Sequence, residues 1–193
     1  MGTSTRHRSP STPIWDAVHT SYKSASIAPE RLTHEVWRAA SLQPGERLPK
    51  QLESSIVHTL LRTALTSESP EEGIAAARRV IAKSHTSSLA TDIAQRALVQ
   101  SFTDRRNQVA GFAHSLFVEA VTYLVSRDLP GYVGTGERLP TISDAISLKS
   151  KIRDVTLSNV RSVPIPPGVE ETPAKWKSYT RNVIALLTAH EKK

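Results

Sequence analysis

Apolar residues along this chain recur at steps of three and four and nowhere alternate for long, which predicts helices and no sheet. Trp15, Val18, His19 and Tyr22 have helical spacing, so the folded region is expected to begin at Ile14. Residues 1–13 are polar and hold Pro10 and Pro13, which suits a disordered basic tail. Pro29 with Glu30 behind it signals a second helix whose Leu32, Val36, Trp37 and Ala40 share one face, and "QPGERLP" closes it. "KQLESSIVHTLLRTALT" places Leu52, Ile56, Leu60, Leu61, Ala64 and Leu65 on one stripe and predicts one continuous helix. In "SESPEEG", Ser69 is the expected N-cap, Pro70 the first helical residue, and Glu71 and Glu72 complement the positive end of the dipole. That helix should run to about Lys83, with Ile74, Ala77 and Ile81 inward.

The longest helical signal follows Ser88. Leu89, Ile93, Ala97 and Leu98 line one face, and after a joint at "TDRR" a second set runs through Val109, Phe112, Ala113, Leu116, Phe117, Ala120, Val121 and Leu124. The second set is expected to be the hydrophobic axis of the fold, capped by Thr103 or Asp104. "DLPGYVGTGERLP" reads as a loop, and Thr141 or Ser143 as the cap of a helix carrying Ala145, Leu148, Ile152 and Val155. "SVPIPPGVEETP" reads as a partly extended connector, and Pro173 opens a last amphipathic helix. The fold class is therefore all-α, a single-domain bundle of about six or seven helices. Its parts are a tail (1–13), the bundle (14–162), a proline-rich connector (163–172) and a C-terminal helix (173–193). The longest greasy stretch, "AHSLFVEAVTYLV", is broken by His114, Ser115, Glu119 and Thr122, so no segment is expected to cross a membrane.

Composition adds two constraints. The 193 residues contain no cysteine, which excludes disulfides, thiolate metal sites and a cysteine nucleophile, and suits a reducing, cytoplasmic setting. A chain of this length buries roughly 70% of its unfolded surface and needs no staple. The net charge is +7. Residues 63–128 carry seven Lys/Arg and seven Asp/Glu, whereas residues 129–193 carry ten against six. A neutral centre with basic ends suits a polyanionic partner.

The basic residues cluster. Lys149, Lys151 and Arg153 lie along one helix, Lys175, Lys177 and Arg181 along the last, and Arg161 between them. Arg105 and Arg106, beside Asn107 at a helix start, suit an anion as well. Together they are the expected nucleic-acid-binding residues, contacting backbone rather than bases. Trp37, Phe112, Phe117, Tyr123 and Trp176 fall on apolar faces, which leaves no platform for stacking bases. Trp176, Tyr179, Val183, Leu186 and Leu187 of the last helix are the expected docking residues for a protein partner.

Catalytic motifs are few. In "RRVIAKSH", five residues separate Arg79 from His85. This stretch resembles the arginine–histidine motif of HEPN-family ribonucleases, all-α bundles in which the arginine orients phosphate and the histidine helps transfer protons. The resemblance covers "RRVIAKSH" alone, and Val80 stands where the family usually has a polar residue. It implies a metal-independent ribonuclease using Arg79 and His85. Read as an ordinary helix, the same stretch has Arg78, Arg79 and Lys83 on its wet face and His85 at its end. His114, between Ala113 and Leu116, reads as a hydrogen-bonded core histidine. The glycines of "GYVGTGERLP" follow no strand, so they read as a flexible loop rather than a phosphate cradle. No HxxxH, HExxH or GxSxG pattern occurs, and no metal or cofactor is expected. The leading expectation is a non-enzymatic helical subunit of a larger assembly, holding a nucleic-acid backbone on its C-terminal helices and contacting protein partners. The alternatives are the ribonuclease and a protein–protein adaptor with no nucleic-acid role.

Overall fold

Proline sets most of the helix starts, because its fixed φ suits the first turn and its missing N–H has no intrahelical partner there. The computed structural model describes residues 12–24, 28–85, 88–103, 107–134 and 139–189. Among these are α1 (Pro13–Lys23), α2 (Pro29–Leu42), α3 (Leu48–Leu52), α4 (Ser55–Thr66), α5 (Pro70–Ser84), α6 (Leu89–Ser101), α7 (Gln108–Asp128), α8 (Ile142–Arg161) and α9 (Pro173–Thr188). Prolines stand in the first two positions of α1, α2, α3, α5 and α9. The described residues hold nine helices where six or seven were expected, and they form no strand, only an isolated bridge between Val133 and Leu139. Pro13, which the sequence assigns to the tail, opens α1 instead, and the Thr12 hydroxyl donates to Gln43 Oε1 at 2.8 Å. Residues 1–11 lie outside the described residues.

Side-chain caps fix other boundaries. Ser69 accepts from the Glu72 N–H at 3.2 Å, as its sequence context predicts. Ser88 with Thr91 and Thr141 with Asp144 form reciprocal capping boxes. The joint between α6 and α7 is present, but Asn107, not Thr103 or Asp104, is the N-cap of α7; the Thr103 hydroxyl turns back to the Gln100 carbonyl.

The one helix expected over 50–66 is two. Ser54 is extended (φ −71°, ψ 154°) and its hydroxyl donates to the Gln51 carbonyl, a local bond that competes with the helix. The break leaves the Leu52 carbonyl free of the helical ladder, and the Trp176 indole N–H fills it at 3.0 Å.

α7 is the axis, with Phe112, Ala113, Leu116, Phe117, Ala120, Val121 and Leu124 all buried as the spacing predicts. By length and composition it is apolar enough to cross a membrane, but α6 packs along one side of it and α8 along another. Burial inside the bundle accounts for that apolarity. α8 runs antiparallel to α7, since Arg153 pairs with Glu119 while Ala145, earlier on α8, lines a groove with Ser126, later on α7. The inward stripe of α8 is Ala145, Leu148, Ile152, Thr156 and Val160. Val155 is only half-buried, because successive four-residue steps keep the stripe turned toward α7.

α9 and the segment before it belong to the same core. Val169 is fully buried, and the His58 Nε2–H donates to the Glu170 carbonyl at 2.9 Å, so the proline-rich connector is pinned to α4. Trp176 sits edge-on to Phe112 (6.0 Å) and Tyr179 to Phe117 (6.5 Å), tying α9 to the middle of α7.

Candidate functional site

Of the nine expected nucleic-acid-binding cations, Arg105 and Arg106 lie outside the described residues. Three others are held by acids of the same chain. Arg153 donates to Glu119 at 3.0 Å and to the Thr122 hydroxyl at 3.2 Å. Lys175 pairs with Glu171 at 2.7 Å and Arg181 with Glu53 at 2.8 Å. Exposed pairs of this kind are weak, so these cations remain exchangeable, but they carry little uncompensated field. Lys151, Arg161 and Lys177 are exposed and pair with no described acid. Lys149 is half-buried and lines a groove.

The docking residues expected on α9 are placed differently. Trp176, Tyr179, Val183 and Leu187 are buried against α2, α7 and α8 of the same chain. Burial pushes the Tyr179 phenol above its ordinary pKa. Leu186 alone of that set is exposed, at 41%. The amphipathic pattern was satisfied internally, because a helix of this length has one wide apolar stripe and the bundle covers it.

Arg79 and His85 are both exposed at the end of α5, and neither bonds to another described side chain. His85 is the C-cap of α5 in the left-handed conformation (φ 48°), so its backbone does the terminating expected of it. His114 is half-buried rather than a core residue. Burial, and then the positive charge of Arg161 across the α7–α8 seam, hold its pKa below the ordinary value. The first part of the glycine-bearing segment is built into the fold. A 3-10 turn, Leu129–Tyr132, continues α7, Tyr132 stacks on Tyr22 at 4.8 Å, and the Tyr132 hydroxyl and His19 Nδ1 lie 2.6 Å apart. Gly136 lies outside the described residues. Among the described residues no group of three or more His, Asp or Glu side chains converges to hold a metal ion.

Two features had no signal in the sequence. The first is a buried ionic cluster at the end of α7. The Arg127 side chain, 8% exposed, donates to Glu46 at 3.1 Å, lies 3.8 Å from Asp128 and stacks over Trp15 at 4.6 Å. Burial, with Asp128 beside it, raises the pKa of Tyr22. The cluster clamps α1 and the α2–α3 turn onto α7. The second is an open groove of about 460 Å³ where α7 hands over to α8, walled by Leu129, Pro130, Val133, Ile142, Ala145 and Ile146 with Lys149 at its edge. A periodicity that assigns each helix one inward stripe does not foresee a second apolar face left uncovered.

No protein-family model, no curated protein and no solved structure matches this chain.

Proposed function

We propose that this chain is a non-enzymatic helical subunit of a larger assembly, holding a nucleic-acid backbone against the outer sides of α8 and α9. The observation that carries the reading is the uncompensated charge of Lys151, Arg161 and Lys177, exposed and without a described acid partner in a chain of net charge +7. Such point charges attract phosphate without reading sequence. The burial of Trp37, Phe112, Phe117 and Trp176 removes the larger rings that could stack on bases. Arg79 and His85 are both exposed, and neither bonds to another described side chain.

The test is a salt series on the full chain with fluorescent single- and double-stranded oligonucleotides. Lys151→Glu, Arg161→Glu and Lys177→Glu combined should weaken binding of every sequence alike and flatten the salt dependence by roughly 0.7–0.9 per lost contact. No binding by the unaltered chain at low salt, or no effect of the triple variant, overturns the proposal.

A further inference from the structure

Ile142 and Ile146 are among the most exposed large apolar side chains described, at 73% and 63%, and they stand one turn apart on α8. Ala145, buried at the start of the inward stripe, lies between them and Lys149 follows a turn later, so positions i, i+3, i+4 and i+7 of α8 all line the groove. The inward stripe of α8 is already satisfied through Leu148, Ile152, Thr156 and Val160. This face is therefore additional to what folding needs, and only its edge meets the facing wall of Leu129, Pro130 and Val133.

We propose that this groove docks an amphipathic helix of a partner protein, with an aliphatic side chain seated over Ala145 and an Asp or Glu one turn away paired to Lys149. The inference rests on the subunit reading above only for the existence of a protein partner; it does not need nucleic acid. A small residue flanked by two isoleucines is the hole into which a leucine-sized knob fits. The helical spacing of the face, and its openness along α8, match the mode in which an amphipathic helix lies in an apolar groove.

The charge selects the occupant. Lys149 is half-buried at the groove edge and pairs with no described acid. An acidic flank is attracted there and a basic one repelled. A small amphiphile would leave the outer sides of Ile142 and Ile146 wet.

The experiment uses the full chain and two blocked helical peptides that share a leucine stripe, one with flanking glutamates and its twin with lysines, read by fluorescence anisotropy. The unaltered chain should bind the glutamate peptide about tenfold or more tighter than its twin. Lys149→Glu should invert that preference, Ala145→Trp and Ile142→Asp should each abolish both interactions, and Ile142→Asp should leave helicity and melting intact. Because Lys149 and Ile142 are not core residues, their variants keep the test valid if Ala145→Trp fails to fold. Equal affinity for the two peptides, no saturable binding, or an unchanged preference in Lys149→Glu overturns the inference. So does a homodimer that Ile142→Asp dissociates. The Lys151, Arg161 and Lys177 variant should leave peptide affinity intact, which separates failure of this inference from failure of the nucleic-acid reading.

Discussion

The indole N–H of Trp176 donates to the carbonyl of Leu52 at 3.0 Å across 124 positions of sequence, closing the break between α3 and α4 with a side chain from α9. Trp176→Ala should cost about 3–5 kcal/mol, the range for emptying a buried tryptophan site. Trp176→Phe keeps most of the packing but leaves the carbonyl unmet, and should cost about 1–3 kcal/mol. Removing residues 173–193 should abolish cooperative unfolding rather than release a separate module. Chemical denaturation of the three variants measures all of this; a truncated chain that still melts sharply would return α9 to the role of a docking arm.

Arg127 is more sensitive than any surface arginine. Its removal breaks the pair with Glu46, takes the positive charge from beside the buried Asp128 and uncovers Trp15. Arg127→Ala should destabilise by about 3–5 kcal/mol, the cost of breaking a buried ion pair from one side. Arg127→Lys should not rescue fully, since an ammonium cannot stack and bond together as the planar guanidinium does. Equilibrium unfolding in urea reads both variants.

Stability should fall in mild acid. Burial holds the His58 imidazole below its ordinary pKa of 6.5, against the opposing effect of its bond to Glu170, and burial and Arg161 do the same for His114. For a histidine with a depressed folded pKa, the unfolded chain takes up the proton first. The contribution is therefore complete above about pH 6.5 and is lost as pH falls from there through the folded pKa. The denaturation midpoint measured at descending pH should drop less in His58→Gln and His114→Gln than in the unaltered chain.

His85 caps α5 at φ 48°, where a side chain is strained and glycine is not. His85→Gly should stabilise by about 1 kcal/mol. The same variant tests the ribonuclease reading. Purified protein should show no RNA cleavage that this change removes; loss of a real activity would make His85 catalytic.

Helix periodicity is local, and most of it was legible. The α7 stripe, the cap at Ser69, and the starts at Pro29, Pro70 and Pro173 depend on residues within a turn of each other, so spacing alone specifies them. The split at Ser54 was not legible, because the side-chain bond to Gln51 competes with the helix and the group that meets the Leu52 carbonyl, Trp176, is far away in sequence. The cationic candidates were visible as residue types. Which of them remain uncompensated was not, since the pairs Arg153–Glu119 and Arg181–Glu53 join residues far apart in sequence.

The sequence by itself determined an all-α chain, the places where most helices begin, and a core axis at α7, because each follows from the 3.6-residue repeat and the chemistry of helix ends. Only the tertiary structure decided which amphipathic faces are covered. It buried the α9 stripe that looked free and left the Ile142–Ile146 face open. An apolar stripe announces that it must meet something, but whether that is the chain's own core or another molecule depends on where the other helices pack.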